Sequence, residues 1–334
     1  MEIYRTKDNL VSKFIHEDGS ETAIKTVKSI INKQEKEKIK IEEEDRNKYS
    51  IFISISTGCQ FKCQFCYLTM KNSEYKKLEY QKILNNIKEA LKEEIKHKPE
   101  LKDKYVKLSW MGMGDAFNQS DIVLKVTIEL LDWIIENKYA KGLDGVDLST
   151  IFPKTNKNWK EDFYKLEKEL QKYDINPKSF IKDNENKEYT STEKYNFKRS
   201  RFRLFYSLGS AIEEQKQTII PFVINTNEAI KELIEYSKNN KHNLIIHHMF
   251  IENLNSSEED IKQFINFIKE NNLEKYEIRI LRYNYCDKSK FQESDYFENI
   301  IKQIYQHIPN LKVQISAGNE VKAACGQFIV KKWK

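Results

Sequence analysis

The chain has 334 residues, 39% hydrophobic and 32% charged, with a formal net charge of +6 and five cysteines. It is long enough for two average domains or for one α/β barrel with extensions, and apolar enough for one sizeable core. No run of about 18 apolar residues exists to span a membrane, the start Met1-Glu2-Ile3-Tyr4-Arg5-Thr6 lacks the apolar segment of a signal peptide, and five cysteines in this length argue against a disulfide framework. A reducing cytoplasm is the expected compartment, and the modest positive charge permits a nucleic-acid partner without demanding one.

Residues 1–32 read as short β segments with a turn at Glu17-Asp18-Gly19-Ser20, and residues 33–48 as a charged linker or helix extension. Ile51-Phe52-Ile53-Ser54-Ile55 is an apolar, β-branched run, expected to be a buried strand. It delivers the loop Ser56-Thr57-Gly58-Cys59-Gln60-Phe61-Lys62-Cys63-Gln64-Phe65-Cys66-Tyr67. Leu78, Ile83, Leu84, Ile87 and Leu91 predict a helix over 78–97. Strands are then expected at 105–110, 145–149, 202–208, 244–249, 276–283 and 312–316, with helices near 121–136, 227–239, 257–270 and 293–307.

Six strand–helix units in succession imply parallel pairing through right-handed crossovers. The expected fold is therefore α/β: a partial (β/α)6 TIM-like barrel over 50–316, a short N-terminal β extension with charged linker over 1–49, and a C-terminal loop and tail over 317–334. Chemistry on such folds sits at the C-terminal ends of the strands, where the cysteine loop is expected.

Residues 151–203 interrupt this rhythm. They hold 14 Lys/Arg against nine Asp/Glu, with Trp159, Phe163, Tyr164, Tyr173, Phe180, Tyr189, Tyr195 and Phe197 interleaved. Basic residues among aromatics suit phosphate contacts and base stacking. A helix near 158–173 within an ordinary surface insertion fits the same residues.

Cys59, Cys63 and Cys66 are spaced C-x3-C-x2-C. Thiolates are soft ligands, and short runs of this kind hold iron–sulfur clusters. Three thiolates on a four-iron cluster leave one iron open to a small molecule. Zinc would need a fourth ligand, and neither a second C-x2-C nor a His pair at finger-like spacing is present; buried thiols without chemistry are the remaining alternative.

With Phe65 before Cys66 and a strand ahead, this loop resembles that of the radical S-adenosylmethionine (SAM) superfamily. The resemblance implies a [4Fe-4S] cluster on Cys59, Cys63 and Cys66, with SAM chelated at the open iron. One electron, from a donor such as flavodoxin or ferredoxin, then cleaves the sulfonium to a 5′-deoxyadenosyl radical. Further stretches are Trp110-Met111-Gly112-Met113-Gly114-Asp115, Leu148-Ser149-Thr150, Ser207-Leu208 followed by Pro221, Leu281-Arg282-Tyr283-Asn284, and Ala323-Ala324-Cys325-Gly326-Gln327. In this order they are similar to the RNA adenine methyltransferases that modify carbon 2 of ribosomal and transfer RNA or carbon 8 in antibiotic resistance.

That family's chemistry implies roles residue by residue. Gly112, Gly114 and Asp115 would hold the methionyl end of SAM, with Ser149, Ser207 and Asn284 as further contacts. Cys325 would accept a methyl group from one SAM, and a radical from a second would take a hydrogen from it. The resulting carbon radical adds to an electron-poor adenine carbon, which a sulfonium methyl, itself an electrophile, cannot attack. Glu21, in Glu21-Thr22, is the candidate base.

Four departures stand out. Asp115 replaces the family's Glu, and the family's second cysteine, which resolves the protein–RNA adduct, corresponds to Phe52. Cys286 is the spare thiol that can replace it, provided that positive charge favours its thiolate. Gly209 and Lys216 stand where the family has His and Arg. The family's N-terminal helical RNA domain has no counterpart in the roughly 50 residues ahead of the cluster strand, so 151–203 is a candidate substitute. Two other readings remain at this level: a diverged radical SAM enzyme acting on a peptide, small molecule or modified nucleotide, and a cluster-containing RNA-binding protein.

Overall fold

A computed structural model describes residues 1–26, 30–31, 47–154, 158–176, 181–182, 188–189, 200–239, 243–285, 290–308, 311–314 and 318–323. Cys286, Cys325 and most of 177–199 lie outside the described residues. The strands are β1 (Glu2–Arg5), β2 (Val11–Ile15), β3 (Glu21–Lys25), β4 (Ile30–Ile31), β5 (Lys48–Phe52), β6 (Tyr105–Trp110), β7 (Leu143–Thr150), β8 (Ile181–Lys182), β9 (Glu188–Tyr189), β10 (Phe202–Ser207), β11 (Leu244–His248), β12 (Glu277–Leu281) and β13 (Leu311–Gln314). The helices are α1 (Tyr67–Met70), α2 (Tyr80–His97), α3 (Ser120–Glu136), α4 (Trp159–Glu169), α5 (Glu213–Ile219), α6 (Thr226–Ser237), α7 (Glu258–Glu270) and α8 (Phe297–His307).

One sheet has the order β1-β2-β3-β5-β6-β7-β10-β11-β12-β13-β4. From β5 to β13 every pairing is parallel, as the alternation of strand and helix requires. The partial α/β barrel is borne out. The N-terminal strands join the same sheet: β3 pairs antiparallel with β5, while β4 pairs antiparallel with β13 at the far edge. Ile30 is only five steps along the chain from Lys25, and at about 3.4 Å per step these span no more than ~17 Å. The two edges of the parallel sheet must therefore curve towards each other.

Apolar side chains from α2, α3, α4 and α6–α8 pack with the strands in one continuous core. In α4, Trp159 and Phe163 are buried, and Tyr173 just beyond it is buried too; Phe117 stacks on both Trp159 and Phe163. These three aromatics serve the core, so they offer no stacking surface to a nucleic acid. That favours the helix-in-an-insertion reading for this part of 151–203. Among the described residues no helix is long and apolar enough to cross a membrane.

The barrel interior carries a layer of charge. Arg203 donates both arms of its guanidinium to Asp147, at 2.8 and 3.0 Å, Lys107 also pairs with Asp147, and Glu277 pairs with Arg279 and Lys312. On β11, His248 lies between the rings of Phe250 and Phe264, with centroids 4.5 and 4.7 Å away. Burial pushes its pKa down to about 3, against an unfolded value near 6.5. The folded chain refuses a proton that the unfolded chain takes up, so the stability this neutral ring contributes is complete above about pH 6.5. It is lost as pH falls, at up to ~1.4 kcal/mol per pH unit. His248→Phe is expected to flatten the fall of the urea midpoint between pH 6.5 and 5; an unchanged slope would contradict this.

Candidate active site

The cysteine loop follows β5. Lys62 adopts a left-handed conformation (φ 51°) that turns the chain between Cys59 and Cys63. Cys66 then opens α1, its carbonyl accepting from the amide of Met70 at 3.1 Å. Cys63 is buried, whereas Cys59 and Cys66 are partly exposed. One wall is Phe61, Ile219, Ile220 and Val223, against which all three cysteines pack. Gln64 fixes this wall, its backbone amide donating to Ile219 O at 2.9 Å and its side-chain amide to Thr218 O at 2.9 Å.

Burial first, and then the neighbouring Cys66, push the Cys59 thiol up to about 12. Burial, Cys66 and Cys59 push Cys63 well above the usual thiol range. Thiols crowded in this way ionise only against a compensating positive centre, which is what an iron–sulfur cluster supplies to its ligands. Among the described residues no three His, Cys, Asp or Glu side chains are arranged to hold a single metal ion; a multi-iron cluster takes its thiolates at separate corners. The donor set fits such a cluster.

The loop after β6 is stitched to this one. An added Cβ at Gly112 would lie 2.6 Å from Ile53 O, and one at Gly114 would collide with Ser56 Oγ. Gly114 also has φ +85°, a region that strains any side-chain-bearing residue. Besides the SAM contact expected of them, these glycines let backbone approach the cysteine strand. Ser54 Oγ accepts from the amide of Met113 at 3.0 Å. Gly114→Ala is expected to cost at least ~1–2 kcal/mol of backbone strain and, by displacing Ser56, to lower iron incorporation. Wild-type stability and iron content in this variant would contradict that packing role.

Asp115 is buried, and its carboxylate accepts from Phe117 N at 3.0 Å, Ile151 N at 2.8 Å and Thr150 Oγ1 at 3.1 Å. Burial outweighs these bonds and raises its pKa to about 6. A carboxylate offers about four acceptor positions, so capacity for a further donor remains. Asp115 also lines a cleft of about 250 Å³ with Gln60, Phe61, Tyr75, Lys77 and Gln119. Gln119 Oε1 is buried in this structure without a hydrogen-bond partner. Several polar groups thus converge on this cleft.

The remaining sequence candidates among the described residues gather at the same end of the barrel. Ser149 and Ser207 face each other at 3.3 Å near the C-terminal ends of β7 and β10. Asn284 follows β12 and is partly buried. Glu21 lies on β3, beside the cysteine strand: Ser54 Oγ donates to its carbonyl at 2.5 Å, and its buried carboxylate pairs with Lys13 at 2.5 Å. Phe52 pairs opposite Ala23 and carries the Lys25 ammonium 4.3 Å above its ring.

Two features escaped the sequence reading. The helix α5, which supplies Ile219 to the cysteine wall, is seven residues long, too short to show helical periodicity. The other is the segment Gly318–Ala323, which packs on the N-terminal strands. Gly318 would place a Cβ 3.1 Å from Val11, and Ala323 belongs to an apolar cluster with Val11, Ala23, Tyr67, Leu68 and Met113. Cys59, Cys66 and Phe52 pack against the same cluster.

The chain is 24% identical over 290 residues to a protein of Dictyoglomus turgidum named as a probable dual-specificity RNA methyltransferase RlmN, the match covering 85% of this chain and 69% of that one. A protein of the same name from Flavobacterium johnsoniae is 24% identical over 288 residues, covering 84% and 68%. Among solved structures, a radical SAM methyltransferase from Sphaerobacter thermophilus superposes with a TM-score of 0.61 at 15% identity, covering 98% of this chain and 80% of that one. No family model matches the chain. With its barrel and three-cysteine loop, the chain is similar to the radical SAM superfamily, whose enzymes use a [4Fe-4S] cluster and SAM. Within that superfamily it is similar to the RNA methyltransferases.

Proposed function

We propose that the chain is a radical SAM methyltransferase acting on an adenine of ribosomal or transfer RNA, with Cys325 as methyl carrier. The observation that carries this reading is the position of Ala323. Two residues ahead of Cys325, it is fully buried in the apolar cluster against which Cys59 and Cys66 also pack. A methyl carrier must reach the place where the radical forms, and this brings its leading segment to the cluster loop.

When bound, the cluster would supply the electron that makes a radical from SAM. Cys59, Cys63 and Cys66 would hold it, the burial of Cys63 keeping water from one side. Asp115, Gly112 and Gly114 would orient the methionyl group, the Asp115 carboxylate accepting from its ammonium. Ser149, Ser207 and Asn284 would contact the rest of SAM. For methyl acceptance, the Cys325 thiol gives up its proton, its sulfur forms a bond to the methyl carbon, and the methyl–sulfonium bond breaks with S-adenosylhomocysteine as leaving group. Glu21 is the candidate base for the proton that leaves the methylated adenine. An electron donor such as a flavodoxin or ferredoxin and a cytoplasmic setting follow from this reading.

The test is anaerobic incubation of the reconstituted enzyme with SAM, followed by mass spectrometry of the Cys325 peptide. A methyl mass supports the reading, and an unmodified thiol defeats it.

A second reading keeps the radical chemistry and changes the substrate to a peptide, a small molecule or a modified nucleotide. Phe52 favours it, since the residue that stands where the family's adduct-resolving thiol would be cannot attack a thioether carbon. RNA binding that weakens steeply with salt, as phosphate contacts require, would count against it.

A further inference from the structure

Lys13 lies in the middle of β2 and Lys25 at the end of β3, two strands that are buried along their whole length. Removing an ammonium from water is costly unless partners replace the lost hydration. For each, one partner comes from about 300 residues away: Lys13 Nζ donates to Lys322 O at 2.7 Å, and Lys25 Nζ donates to Ala323 O at 2.6 Å. Glu21 pairs with the first ammonium, and the Phe52 ring seats the second. The same segment is held at two further points. Lys7 N donates to Glu320 Oε1 at 2.5 Å, and Ala323 N donates to Gly318 O at 2.9 Å. The other side of β2 is occupied by α2, with Ser12 Oγ donating to Glu94 at 2.8 Å. The lysines therefore sit between the helix layer and the C-terminal segment, and point at the latter.

We propose that Lys13 and Lys25 are positioning residues, reaching from β2 and β3 to two consecutive carbonyls so as to fix where the chain enters Ala324-Cys325. Phe52 takes part by seating Lys25. Position 52, which in the family bears a thiol that takes part in the chemistry, here serves the placement of the methyl carrier. Two adjacent carbonyls, each gripped by a different strand, fix both the place and the direction of the backbone, which one contact would not. This inference rests on the reading of Cys325 as methyl carrier, although the clamp itself can be measured without it.

The experiment compares the full-length protein with Lys25→Met, Lys13→Met and Lys25→Arg, each reconstituted anaerobically and checked for iron content. Hydrogen exchange tests the clamp: amides within 318–323 should exchange about ten-fold faster in the Met variants, with Lys25→Arg nearer to wild type. Coupling tests the function: methyl found on Cys325 per 5′-deoxyadenosine formed should fall about ten-fold in Lys25→Met and recover in Lys25→Arg. Unchanged exchange at 318–323 overturns the clamp. Faster exchange with an unchanged coupling ratio overturns its positioning role, as does loss of cluster and coupling together in all three variants. An unmethylated Cys325 in the wild type defeats the proposed function instead, and exchange then still decides the clamp.

Discussion

Cys325→Ser is expected to leave SAM cleavage in place and to remove RNA methylation. With Cys59, Cys63 and Cys66 as the proposed cluster ligands, the serine variant keeps the whole means of radical formation. What it loses is a nucleophile. A thiol ionises to a strongly nucleophilic thiolate, whereas a serine hydroxyl without an adjacent base remains a weak one. Removing a catalytic nucleophile costs several orders of magnitude, so methyl transfer to residue 325 should fall by at least ~10³-fold. The expected record is 5′-deoxyadenosine in the wild-type range, no methyl mass on the 325 peptide and no methylated adenosine in digested RNA. Retained RNA methylation would show that another group carries the methyl.

Cys63→Ala is expected to abolish 5′-deoxyadenosine altogether. Cys63 is the most buried of the three thiols and packs against Phe61, Ile219, Ile220 and Val223. Its loss leaves two partly exposed ligands for a cluster that needs three. The broad visible absorbance of sulfide-to-iron charge transfer should be lost, and iron content should drop with it. The barrel core lies mostly in a separate apolar cluster from Cys63, so far-ultraviolet circular dichroism should change little. A variant that keeps its absorbance and its 5′-deoxyadenosine would show that Cys63 is not a ligand.

Much of the barrel was legible in the sequence because parallel strands buried on both faces read as short apolar runs. Leu244–His248, buried throughout, shows this directly, and helices such as α2 carry apolar residues at helical spacing. The cysteine strand was less well bounded: β5 covers Lys48–Phe52, because Tyr49 is buried and pairs opposite Val106, although Lys48 and Tyr49 look like linker. The cysteine loop was legible because its chemistry lies in side-chain type and spacing alone. The packing of Gly112 and Gly114 against the cysteine strand was not, since a glycine that admits a ligand and one that admits a neighbouring strand are identical in one dimension.

Lys13 and Lys25 were hidden for a different reason. In Val-Ser-Lys-Phe-Ile and Glu-Thr-Ala-Ile-Lys, a lysine reads as the solvent side of an amphipathic strand. That face is covered by residues 318–323, and no local pattern announces a contact across most of the chain. The basic and aromatic stretch misled in the opposite sense. Trp159 and Phe163 look available for base stacking among so many lysines, yet Trp159 packs on Phe117 and Tyr236 and Phe163 on Phe202 within the core.

The most direct test is electron paramagnetic resonance of the anaerobically reconstituted, dithionite-reduced protein, recorded before and after addition of SAM. An iron open to SAM predicts the signal of a reduced [4Fe-4S] cluster whose spectrum shifts when SAM is added, with 5′-deoxyadenosine accumulating in the same sample. A cluster signal that SAM leaves untouched, or no cluster signal at all, would contradict it.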